Sequence, residues 1–162
     1  MTAFTVWKFD DAKGAGHAAV MLREAANDGV VKIVDHAVVS WPVGAKKPTV
    51  EQGHEEAIRG AGWGAFWGLL FGALFMVPLL GAAAGAAMAG LGHMTQGVGI
   101  SKEQLEQLRS EITEGTSALF AVTEEGNLDR LGERFRGVHS RLIDTNLTPA
   151  EREMLLEAMG QS

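Results

Sequence analysis

The chain has no cysteine among its 162 residues. That absence excludes a disulfide framework, thiolate catalysis and cysteine-ligated zinc, and it permits a reducing compartment. An excess of positive charge is also missing: 14 Lys and Arg stand against 20 Asp and Glu, a formal net charge of -6. Broad electrostatic attraction to nucleic acid is therefore not expected. Catalytic signatures are lacking too. Gly14-Ala15-Gly16 has neither a Walker lysine nor GxGxxG spacing and reads as a small-residue packing site. Glu124-Glu125 sits in a turn, and no Ser/His/Asp context or HExxH pattern occurs. The N-terminal MTAFTVWKFDDAKG has no basic stretch leading into an apolar one, so a cytoplasmic N-terminus is expected rather than a signal peptide. The most informative absence is of charge: from Gly60 to Gly92 there is none.

What is present suits one domain carrying an insertion. Hydrophobic residues make up 46% and charged ones 21%, enough apolar material for a core. Thr2 to Phe9 is β-branched and aromatic, and Asp10-Asp11 supplies helix-start chemistry. Ala15, Ala18, Ala19, Leu22, Ala25 and Ala26 then recur at helical spacing until Asp28-Gly29. Val30 to Trp41 is a valine-rich strand. Lys46 to Gln52 reads as an edge strand, since paired lysines and Pro48 discourage further pairing. Beyond the insertion, Ser101 and Gln104 form a capping-box pattern, and Leu105, Leu108 and Ile112 share a helix face. Thr116 to Thr123 is an apolar strand, Asn127 caps a helix, and His139 to Leu147 is a weaker strand. Thr148, Pro149 and Glu151 open a last helix. This order predicts an α+β fold, a ferredoxin-like sandwich with helices on one sheet face and the other face free for solvent or pairing. Residues 1–53 and 100–162 would form that domain, and residues 54–99 an inserted helical hairpin.

The insertion holds eleven of the 21 glycines, interleaved with Trp, Phe, Leu, Met and Ala, so it is not a polar flexible linker. Gly60, Gly64, Gly68 and Gly72 repeat every four residues, with Trp63, Trp67, Phe71 and Phe75 as a parallel stripe. Past Pro78, Gly81, Gly85 and Ala89 continue the small-residue spacing. Such stripes let helix backbones approach closely and predict self-association. Each glycine weakens an isolated helix by about 1 kcal/mol against alanine, so the segment needs packing or lipid around it. As helices, Gly60 to Val77 would rise about 27 Å and Leu79 to His93 about 22 Å. Both fall short of the roughly 30 Å hydrocarbon core, and the turn at Met76 to Leu80 is apolar. Lys46, Lys47, Arg59 and Lys102 flank the segment as cytoplasmic charges would. His54 and His93 lie at the two ends of the hairpin arms, with Glu55 and Glu56 beside the first; no metal-ligand spacing supports a divalent-ion site, so the histidines read as polar residues at helix ends and His54 to Arg59 as a charged collar.

With its strand–helix–strand start, GAGWGAFWGLLFG segment, Ala/Gly second arm, TSALFAV strand and TPAERE helix start, the chain resembles a bacterial family named domain of unknown function 1269, often labelled predicted membrane protein. The resemblance implies a ferredoxin-like domain with an inserted glycine-rich hairpin and brings no activity, so no catalytic residue carries over. The resulting expectation is a noncatalytic homo-oligomer, structural or stress-related, on the cytoplasmic side of the inner membrane. It would need no cofactor or metal and would partner itself and the lipid bilayer, not nucleic acid. A soluble ring or shell with the hairpins at its centre is the alternative. A regulatory domain binding a small ligand on the sheet is a third reading, and nothing locates its pocket.

Overall fold

A computed structural model of the protein describes residues 3–52, 70, 71, 74, 102–124, 126–138 and 140–160. The fold is α+β. Strand β1 (Ala3–Phe9) leads into helix α1 (Gly14–Asn27), strand β2 (Lys32–Ser40) and strand β3 (Thr49–Gln52). Helix α2 (Lys102–Glu111), strand β4 (Ser117–Glu124), helix α3 (Leu128–Arg134), strand β5 (Arg141–Thr145) and helix α4 (Pro149–Ala158) follow.

The five strands lie in the order β3-β2-β4-β1-β5, every adjacent pair antiparallel. β4 therefore sits between β1 and β2, and β1 between β4 and β5. This is the interleaving of two split β-α-β units that defines a ferredoxin-like sheet, with β3 added outside β2. β3 is an edge strand as expected, but it begins at Thr49, and Lys46, Lys47 and Pro48 lie in the loop before it.

Local chemistry sets the element ends. The Asp11 carboxylate accepts from the backbone N–H groups of Lys13 and Gly14, at 2.9 and 2.5 Å, and so starts α1. Gly29 ends it at φ 77°, a conformation that costs glycine nothing. A Cβ on Gly14 would lie 2.6 Å from the Phe9 Cβ, whereas Gly16 faces open space. Of that small-residue cluster, Gly14 and the buried Ala15 are the packed members. Asn127 caps α3 by accepting from the Arg130 N–H at 3.1 Å. Ser101 lies outside the described residues, and with it the capping box expected before α2.

At α4 the capping box is complete. The Glu151 N–H donates to Thr148 Oγ1 at 3.2 Å, and the Thr148 N–H donates to Glu151 Oε1 at 3.0 Å. That backbone hydrogen bond, then the threonine hydroxyl, holds the Glu151 carboxyl below its usual range. A lowered native pKa stabilises α4 above the ordinary carboxylate range, and the contribution is lost as pH falls through the lowered value. Thr148→Ala is expected to cost about 1 kcal/mol. Glu151→Gln keeps an acceptor without the charge, and it is expected to remove the acid sensitivity of amide exchange in α4.

The sheet is buried on both faces, contrary to the expected free face. On one side, Phe9, Val38, Leu119 and Ala121 pack under Ala15, Ala18, Ala19, Leu22 and Ala25 of α1, with Leu131 and Phe135 beside them. On the other, Phe4, Val6, Ala37, Val39, Ala118, Phe120 and Val122 lie under Leu105, Leu108 and Ile112. Glu111 fastens α2 to this second face through Lys8 of β1, at 3.4 Å, and Arg141 of β5. A carboxylate at a helix C-terminus opposes the helix dipole, and these two cations offset it.

Candidate functional site: where the insertion meets the sheet

Sheet strands, α2 and three residues of the insertion converge on the second face. Leu70, Phe71 and Leu74 are helical and belong to its core, at 0%, 8% and 3% exposure. Their spacing of one and four places them on one side of a helix turn. The Phe71 ring meets the Phe120 ring edge-on, with centroids 5.1 Å apart and planes at 86°. Phe120 in turn meets Phe4 at 6.4 Å. Edge-to-face pairs of this kind contribute about 0.5–1.5 kcal/mol beyond area burial. The three aromatic rings run from the insertion through central β4 to β1. Ile143 of β5 closes the same cluster.

The geometry is that of an anchor. Burying one large apolar side chain stabilises by roughly 1.5–3 kcal/mol, so three of them offset much of the conformational freedom lost in fixing a single helical turn. Phe71 was singled out in the sequence as an aromatic contacting membrane or apolar core, and it packs in the core of its own domain. The other ten residues singled out lie outside the described residues: Gly60, Gly64, Gly68, Gly72, Gly81, Gly85 and Ala89, together with Trp63, Trp67 and Phe75. His54, Glu55, Glu56 and His93 lie outside them as well. Leu70 and Leu74 drew no attention in the sequence, although their spacing from Phe71 was the available signal.

Among the described residues no group of three His, Asp or Glu side chains could hold a metal ion. Among the same residues no helix is long and apolar enough to cross a membrane. The one close helix approach through glycine that the structure describes lies elsewhere. A Cβ on Gly132 of α3 would fall 2.6 Å from the Ala158 Cβ and 2.8 Å from the Leu155 carbonyl oxygen of α4.

Residues 61–160, well over half of the chain, match a family model described as protein of unknown function (DUF1269). The matched span holds Leu70, Phe71 and Leu74 together with α2, β4 and β5, which cover them. No curated protein and no solved structure matches the chain.

Proposed function

The chain belongs to the DUF1269 family, and from that premise we propose that it is a noncatalytic structural protein that self-associates at a membrane surface. The observation that carries this reading is the burial of Leu70, Phe71 and Leu74 in the domain core. It ties three residues of a charge-free, glycine-rich sequence to a folded body. Continued at helical spacing, Gly68 and Gly72 would fall away from the anchored side, leaving small residues for a second copy. The remaining uncharged sequence then meets the bilayer from one side. Drawing the first arm across the membrane would strip the cover from Phe4, Val6 and Phe120, so a surface-lying attachment is favoured over a spanning one.

Covering of three insertion residues by protein also favours a second reading, a soluble assembly in which the rest of the insertion is enclosed between copies. Native mass and vesicle flotation, both without detergent, separate the two. Flotation with vesicles supports the membrane reading. A large monodisperse particle that never floats overturns it in favour of the shell. In either case Gly64→Leu with Gly68→Leu is expected to break the oligomer while circular dichroism of the α+β domain stays unchanged. An unaltered mass by light scattering would remove the glycine stripe from the assembly.

A further inference from the structure

A hollow of about 560 Å³ opens where the β2–β3 loop meets α2 and the anchored insertion. Lys46, Lys47 and Arg109 line it, together with the apolar Trp41, Leu74 and Ile112. The carboxylate that lines it, Glu114, accepts from the Gly44 N–H at 2.6 Å. Two exposed lysines therefore share the hollow with a carboxylate that is already engaged, in a chain whose overall charge is -6. No ion pair joins Lys46 or Lys47 to a described residue.

The loop that presents the two lysines is held in place. The Trp41 N–H donates to the Thr116 carbonyl at 2.9 Å, and the Gly115 N–H donates to the Trp41 carbonyl at 2.6 Å. Trp41 Nε1 donates to the Ala45 carbonyl at 2.9 Å, which closes the loop just before Lys46. Pro48 then restricts Lys47 to extended backbone. The backbone bearing both ammonium groups is thus ordered before any ligand arrives, which reduces the cost of binding.

We propose that this hollow seats the phosphate of an anionic phospholipid headgroup; the inference rests on the membrane reading above. The two lysines supply the charge that a phosphodiester needs. Trp41 and Leu74 supply an apolar lining for the glycerol and first acyl carbons, a role suited to an interfacial tryptophan. A free phosphate would use the cations and leave the apolar lining idle. Leu74 also belongs to the insertion, so the segment that meets the bilayer builds part of the site.

The test uses the full chain in flotation with vesicles of phosphatidylcholine alone and of phosphatidylcholine with phosphatidylglycerol. The wild type is expected to prefer the anionic vesicles. Lys46→Gln with Lys47→Gln is expected to lower that partition about 30-fold, or about five-fold for each lysine near an anionic surface. Partition into neutral vesicles should be unchanged, as should the anionic preference of Lys13→Gln with Arg23→Gln, an equal loss of charge on α1. Equal loss in both double variants would mean diffuse attraction and overturn the site. So would undiminished binding by Lys46→Gln with Lys47→Gln while the wild type still floats, which leaves the membrane reading standing. A wild type that floats with neither vesicle overturns both. Saturable inorganic phosphate binding without vesicle preference would assign the hollow to a soluble anion and overturn the lipid assignment.

Discussion

Phe71→Ala is expected to lower the unfolding free energy of the α+β domain by about 3–5 kcal/mol, read from urea denaturation of soluble protein. The cost follows from position. Phe71 sits against Phe120 at 5.1 Å, and Phe120 is fully buried on the central strand. Truncation leaves a void between β4 and α2, which are tied to the rest of the sheet and cannot collapse freely. Phe120→Ala should cost a similar amount. The double variant should cost less than the sum, by the coupling of about 0.5–1.5 kcal/mol that an edge-to-face pair contributes. Residue 71 in lipid or in contact with another copy would give a different result. Phe71→Ala would then leave urea unfolding of the domain within about 0.5 kcal/mol of the wild type.

The second large effect concerns Gly132. On propensity alone Gly132→Ala would strengthen α3 by up to about 1 kcal/mol. We expect the opposite sign, a net loss of about 1–3 kcal/mol from overpacking. The new methyl group would press on a backbone carbonyl and on another Cβ, at 2.8 and 2.6 Å. Neither can rotate away, so α3 and α4 must separate. Adding Ala158→Gly would relieve one contact and leave the other, so rescue should be partial. Stability equal to or above wild type in a thermal melt would show that the two helices can part without cost.

Much of this fold was legible because its signals are local. Asp11, Gly29, Asn127 and the Thr148–Glu151 box each act within four residues of the end they set. Lys46, Lys47 and Pro48 pointed to the edge strand, although they lie in the loop before Thr49 rather than in the strand. The doubly covered sheet had a signal that the expectation of a free face passed over. Ala118, Leu119, Phe120, Ala121 and Val122 are apolar at both parities, as befits a strand buried on both sides. Alternation, not continuity, would have marked a solvated face.

Other features lacked any local signal. Within the sequence LDRLGER, Gly132 looks like a small loss of helix propensity, because the residues it admits, Leu155 and Ala158, lie on another helix far along the chain. The stripes in the insertion show that close contact is possible without showing which side turns toward the domain. Leu70, Phe71 and Leu74 settle that only where they touch the sheet. The hollow beside them draws its lining from three distant stretches of chain, so no window of sequence contains it.

The position of β4 sets an order of events as the chain is made. β1 and β2 flank β4 and do not pair with each other, so the central sheet cannot close until residue 124 has left the ribosome. By then the whole apolar insertion has already emerged. Phe71 has no Phe120 to meet, and α2, its other cover, is also late. For several seconds, at roughly 5–20 residues per second, the least polar stretch of the protein is exposed before its own core exists. Pairings between strands this far apart form slowly in any case. Anything that binds apolar surface can therefore reach the insertion ahead of the sheet, and such a contact would compete with the docked state.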